Sequence, residues 1–176
     1  MDYKDTLDSP VGRITVASDG DAVIGLWLEG QKYFEATLDD AEQRPDLPVL
    51  IEVRAWLSRY FEGSDPGPLP PVDPRGSAFR RNVWRLLAEI PYGQLTTYGD
   101  LARRMSEQTG SPASARAVGG AVGHNPISII LPCHRVVGAG GSLTGYAGGL
   151  ANKITLLGLE GIETSRLKVP AKGTAL

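Results

Sequence analysis

The stretch Pro132-Cys133-His134-Arg135-Val136-Val137 contains the only cysteine of the 176-residue chain, and one of its two histidines follows directly. Immediately upstream, Asn125-Pro126-Ile127-Ser128-Ile129-Ile130-Leu131 is apolar and rich in β-branched residues. That composition predicts a short buried strand delivering the cysteine to the end of a sheet. A free cysteine ordinarily behaves as a small buried hydrophobe. Here His134 and Arg135 interrupt an apolar segment, which packing alone does not require. A thiol is nucleophilic only as thiolate, a form favoured by a cation or an imidazole within reach. Consecutive side chains of an extended strand point to opposite faces, so contact between His134 and the sulfur needs a bridging water or a turn at Cys133.

Composition narrows the setting of this thiol. With 41% hydrophobic residues the chain is long enough for one domain or two small ones, and the linker composition described below favours two. One cysteine excludes an intramolecular disulfide, and two histidines leave no cluster resembling a zinc site. The expectation is a reducing, cytoplasmic protein with no metal and no cofactor. Asp2-Tyr3-Lys4-Asp5 after Met1 offers no secretory apolar segment, and no run has the length of a membrane span. The net charge of −2 hides an asymmetry: residues 1–75 hold 7 Lys and Arg against 15 Asp and Glu, a net −8, and residues 76–176 hold 11 against 5, a net +6. A basic back half points to a polyanion, although scattered surface charge can produce the same count.

Taken in order, Tyr3–Asp8, Arg13–Ser18 and Ala22–Leu28 read as three strands separated by Pro- and Gly-containing turns. Leu47–Phe61 has apolar residues at mixed spacings of three and four, an amphipathic helix able to cover that sheet. Asp65–Pro74, a run of Asp, Gly and Pro, reads as a linker, dividing the chain into 1–75 and 76–176. Ser77 is placed to cap a helix with Phe79, Val83, Trp84, Leu86 and Leu87 near one face. A second helix starts near Thr97 or Tyr98, and Thr109-Gly110 breaks it. Ser111-Pro112 supplies a cap and a first-turn proline for a third, Pro112 to about Gly123. Two short helices around a Gly-containing turn fit a helix-turn-helix or an ordinary helical hairpin. The third helix is rich in Ala and Gly, with Arg116 as its single charge. Each interior glycine costs a helix roughly 1 kcal/mol relative to alanine, so Gly119 and Gly120 imply a close approach, either to a packed helix or to a DNA groove that the arginine enters.

Extended outward, these residues resemble the O6-alkylguanine-DNA alkyltransferases. The resemblance rests on Pro132-Cys133-His134-Arg135-Val136, on Tyr98, on Ala115-Arg116-Ala117-Val118-Gly119-Gly120 and on Asn125-Pro126. It continues through Gly145-Tyr146-Ala147-Gly148-Gly149 and Leu159-Glu160-Gly161, in order over roughly residues 79–160. It implies an α/β protein, with a small ribonuclease-H-like domain before a mostly helical, winged-helix-type DNA-binding and active-site domain. It further implies a protein acting on double-stranded DNA through the minor groove; the sequence is silent on oligomeric state, and a monomer is assumed. One alkyl group passes irreversibly from O6-alkylguanine to Cys133, with O4-alkylthymine left open as a second substrate.

By the same resemblance, Glu160, His134 and a water would activate Cys133, braced by Asn125, and Tyr98 would protonate the departing guanine. A carboxylate at a helix C-terminus opposes the macrodipole, so Glu160 requires such a partner. Ser114, Ala115, Ala117 and Gly119 would line the DNA face, and Arg116 would replace the extruded nucleotide in the stack. Extrusion is necessary because a buried sulfur cannot reach a guanine O6 inside a stacked duplex. The carbonyls near Cys133 and Val136 and the amide near Ala147 would read the guanine edge, Tyr146 would wall the pocket, and Gly148 and Ser128 would belong to it. Ala102–Ala115 is longer than the family pattern, so groove fit can differ. A damage-binding module without transfer, or a cysteine hydrolase, would use parts of the same residue set. Retained Cys133 disfavours the first, and Arg116 with the glycine helix disfavours the second.

Overall fold

A computed structural model describes residues 1–170. Strands β1 (Asp2–Leu7), β2 (Ile14–Ser18) and β3 (Val23–Leu28) form the expected antiparallel meander. A short strand β4 (Ala41–Gln43) pairs parallel with β1, giving the order β3-β2-β1-β4. Every residue of β2 and β3 is buried, because the sheet is covered on both sides. Helix α1 (Pro48–Phe61) packs Val49, Leu50, Val53 and Leu57 into the main core, while Ala17, Ile24 and Trp27 form a smaller cluster closed by Leu38.

The helical portion contains α2 (Ala78–Ala88), β5 (Thr96–Thr97), α3 (Tyr98–Thr109), α4 (Ala115–Gly123), β6 (Val136–Val137) and α5 (Leu150–Leu159). Capping follows the expected chemistry: the Ser77 hydroxyl accepts from the Arg80 amide, the Thr97 hydroxyl accepts from the Asp100 amide, and α3 stops at Gly110 with φ 69°. Two readings are corrected. Helix α4 begins at Ala115, three residues after Pro112, because the Ser114 hydroxyl accepts from the Ala117 amide and makes Ser114 the cap. Phe79 lies on α2 but is 37% exposed, outside the apolar face formed by Val83, Trp84, Leu86 and Leu87.

Strand β3 ends the sheet, and its open edge is taken up by two segments from elsewhere. The Val23 amide donates to Pro71 O at 2.8 Å and Val23 O accepts from the Asp73 amide, so the Pro-rich run is pinned along the edge despite having no regular structure. The Leu26 amide donates to Pro126 O at 2.8 Å and Leu26 O accepts from Ser128 at 2.9 Å. Pairing of this kind satisfies an edge that would otherwise template aggregation. Arg75 adds a two-pronged bond to buried Asp2, both contacts at 2.7 Å. One apolar core runs from Ile14 and Leu57 through Trp84 and Leu101 to Ile129 and Leu156.

Two glycines make contrasting stability tests. A Cβ on Gly25 would overlap the ring of Trp27, which is 1% exposed and has no space to move, whereas a Cβ on Gly120 meets nothing within 4 Å. Gly25→Ala is therefore expected to lose about 1 to 3 kcal/mol through overpacking. Gly120→Ala should gain up to about 1 kcal/mol from helix propensity. Urea unfolding midpoints of the two variants, moving in opposite directions, check the pair.

Candidate active site

Segment 125–131 is not the strand its composition predicts. Only Ile127 bridges to Leu26, after which the chain coils, with Ile130 N donating to Ser128 O and Leu131 N to Ile127 O. Asn125 causes this. Its side-chain oxygen accepts from Ile127 N at 3.0 Å and its NH2 donates to Leu131 O at 2.7 Å, so the carboxamide takes the place of strand partners. Ile129 is driven to φ 69°, a strained conformation for a β-branched residue. The chain then enters a single helical turn, Cys133–Arg135. A turn at Cys133 separates the three side chains, and all three residues are buried.

Glu160, just beyond α5, is where these side chains converge. Its Oε2 accepts from His134 Nε2 and from the Tyr60 hydroxyl at 3.0 Å; its Oε1 accepts from Arg135 Nε at 2.6 Å and from the Gly93 amide at 3.1 Å. Burial works against the ionised carboxylate. The His134 and Arg135 interactions and the Gly93 N–H outweigh it and hold Glu160 down to about 2. A carboxylate can only accept, so Nε2 is assigned the imidazole proton. Burial, helped by the charges of Arg135 and Lys153 and opposed by Glu160, pushes His134 below its ordinary value. A neutral imidazole results, and its buried Nδ1 lone pair has no hydrogen-bond partner among the described residues.

Cys133 is 4% exposed. Burial pushes its thiol up, and Asn125 and the charge of Lys153 act in the opposite direction. Lys153 is wholly buried, donating to Val136 O at 2.6 Å and Thr144 O at 3.0 Å, and burial lowers it to about 8. At rest the site therefore holds a protonated thiol beside a neutral base. Sequence reasoning missed Tyr60, Gly93 and Lys153, and gave Arg135 no role. Lys153 had a visible signal, being the only charge in a largely apolar helix. Tyr60 had none, since a tyrosine on the apolar face of α1 reads as core.

The other candidates fall into two groups. Ser114, Ala115, Arg116 and Ala117 are exposed on the first turn of α4, and Gly119 is buried. Arg116 and Gly119 line a cavity of about 620 Å³ together with Tyr98, Gly120, Ala139 and Thr144. Tyr98 donates to Thr144 O at 3.1 Å and approaches Gly145 O at 3.3 Å, and burial keeps its phenol protonated. Around the thiol, the Tyr146 hydroxyl is buried with no hydrogen-bond partner in reach of good geometry among the described residues, and a Cβ on Gly148 would overlap the Tyr146 ring. Ala147 O accepts from Lys32 N at 3.1 Å, and Ser128 Oγ donates to Gln31 Oε1 at 3.4 Å, so the turn after β3 backs this loop. Among the described residues no group of His, Cys, Asp and Glu is arranged to hold a metal, and no helix is long and apolar enough to cross a membrane.

Comparison with known proteins supplies a frame for this geometry. Residues 78–162 match the model "6-O-methylguanine DNA methyltransferase, DNA binding domain", and residues 3–67 match the corresponding ribonuclease-like domain. The methylated-DNA–protein-cysteine methyltransferase of Haemophilus influenzae is 45% identical over 155 residues, covering 88% of this chain and 83% of that protein. Its counterpart in Mycolicibacterium paratuberculosis is 45% identical over 160 residues, covering 91% and 92%. Among solved structures, Mycobacterium tuberculosis OGT in complex with DNA superposes with a TM-score of 0.77 at 39% identity, covering 96% of each chain.

The state of Glu160 sets an acid limit on stability. Its carboxyl is depressed in the fold, so its contribution is complete above its ordinary value near 4.5 and is lost as pH falls toward about 2. The amount at stake is on the order of 3 kcal/mol. Glu160→Gln should be less stable than the parent at pH 7 and lose less on acidification. Urea midpoints at pH 7 and pH 3 are expected to show the gap narrowing.

Proposed function

The chain belongs to the methylated-DNA–protein-cysteine methyltransferase family, and on that premise we propose that it repairs DNA by moving the alkyl group of O6-alkylguanine onto Cys133. The observation that carries the reading is the bond between His134 and Glu160: the imidazole Nε2 is held on the carboxylate, its Nδ1 has no hydrogen-bond partner among the described residues, and the residue directly follows the sole cysteine. In the reaction the imidazole takes the thiol proton through a bridging water and becomes imidazolium opposite the Glu160 carboxylate, the division of labour of a catalytic triad. The sulfur attacks the alkyl carbon in line, the S–C bond forms and the C–O6 bond breaks. Tyr98 supplies a proton to the guanine anion, and the proton that His134 took from the thiol returns through solvent to the phenolate, so both side chains end as they began and the thiol proton is in effect delivered to the leaving group. Asn125 braces the turn that presents the sulfur.

The substrate must leave the duplex first. Ser114, Ala115, Ala117 and Gly119 give α4 a thin face suited to the minor groove, and Arg116, exposed and beside the cavity, fills the space left in the stack. The flipped guanine then lies against Tyr146 and Ser128, with the main chain at Val136, Ala147 and Gly148 contacting its edge. Residues 76–176 carry this DNA face and residues 1–75 support it. The protein works as a cytoplasmic monomer.

Turnover follows from bond chemistry. A thioester has a carbonyl that water attacks, whereas a thioether has no such electrophilic carbon. With excess alkylated duplex, intact-mass analysis is expected to find one alkyl group per chain on Cys133 and none on Cys133→Ala; continuous release of product would identify a hydrolase instead. The alkylated protein should melt lower, because even a methyl group added to a packed site costs typically about 1 to 3 kcal/mol. Arg116→Ala should slow transfer from duplex DNA far more than transfer from a free O6-alkylguanine base, and equal slowing on both would remove the assignment. Affinity for duplex should fall as salt rises, through counterion release.

A further inference from the structure

Tyr60 comes from α1, in the half of the chain matched by the ribonuclease-like model, yet its hydroxyl lies inside the thiol relay. It donates to Glu160 Oε2 at 3.0 Å and lies 3.2 Å from His134 Nε2. The ring is wholly buried, stacked on Trp56 at 5.7 Å and edge-on to Phe61, Tyr92 and the His134 imidazole. Packed on these sides, the ring keeps its hydroxyl at Oε2. A phenylalanine would fill the same space without burying a polar group, so core packing does not account for the hydroxyl.

We propose that Tyr60 is a positioning residue for the transfer reaction: by sharing Oε2 of Glu160 with His134, it keeps the imidazole a neutral base with its Nδ1 lone pair free. The physical reason is competition. A carboxylate oxygen that accepts from two donors stabilises an imidazolium less than one facing the imidazole alone. Without the phenol hydroxyl, His134 would hold a proton at higher pH and be unable to take one from the thiol. The other charged and titratable groups around the pair stay in place: Arg135 on Oε1 of Glu160, Lys153 on the far side near Cys133, and the phenols of Tyr92 and Tyr146. Tyr60 itself remains protonated, because burial and the Glu160 charge push its pKa up. The N-terminal half then contributes directly to the relay.

The inference rests on the alkyl-transfer reading and has a readout independent of it. Histidine-labelled NMR gives two imidazole signals, from His124 and His134, and His124, stacked on Tyr33 and bonded through Nδ1 to Gly120 O, serves as internal reference. In Tyr60→Phe the His134 titration is expected to move up by on the order of one pH unit. The acid limb of the rate of transfer from free O6-alkylguanine should move with it. Trp56→Phe, which perturbs the same packing without touching Glu160, should leave both in place. An unchanged or lowered His134 titration in Tyr60→Phe overturns the proposal, as does a shift of equal size in Trp56→Phe. If Tyr60→Phe does not fold, the unmutated protein still decides, since His134 titrating above the ordinary imidazole value of about 6.5 would contradict a neutral base. Absence of any transfer by the unmutated protein would instead defeat the functional reading, with the NMR result for Tyr60 unaffected.

Discussion

The buried carboxylate of Glu160 is the interaction on which the arrangement depends. Removing such a group from water costs several kcal/mol unless its lone pairs are satisfied, and here four donors satisfy them: His134, Tyr60, Arg135 and Gly93. Those donors come from α1, the turn before β5, and the turn that carries Cys133. One charge therefore ties three distant parts of the chain to the end of α5. Losing any partner leaves the remainder buried and underpaired, which is a larger penalty than a surface ion pair would exact. The same carboxylate determines which imidazole nitrogen bears the proton, so stability and chemistry are set by one group.

The second constraint is the open edge of β3. Its amides and carbonyls are taken by Pro71 and Asp73 on one stretch and by Pro126 and Ser128 on another. The sheet thereby fixes the origin of the segment leading to Cys133, and Asn125 converts that origin into a coil instead of a strand. Strain at Ile129 is held by the core around it. A nucleophile supported in this way gains precision from a rigid scaffold while sitting on a short turn.

Much of this was legible in the sequence. The meander, α1, the cap at Ser77 and the start of α3 near Thr97 followed from turn residues and periodicity, because those signals are local. The placement of Glu160 against His134 followed from family resemblance and from the misfit of an acid at a helix C-terminus. What was not legible depended on long-range competition. A run of Ile and Leu normally pairs as a strand, but the Asn125 carboxamide captured its backbone groups. Ser114 outcompeted Ser111-Pro112 as the cap of α4, a choice between two good local signals. Tyr60 lies 100 positions from Glu160, and nothing in an amphipathic helix separates a core tyrosine from one whose hydroxyl serves a distant carboxylate.

The central claim is that Cys133 is protonated at rest and depends on His134, itself held by Glu160, to lose its proton. Thiolate absorbance near 240 nm, followed against pH in the unmutated protein, His134→Ala and Glu160→Gln, tests this most directly. The account predicts little thiolate at neutral pH in the unmutated protein and a titration displaced to higher pH in both variants. A thiol that titrates identically in all three proteins would contradict it.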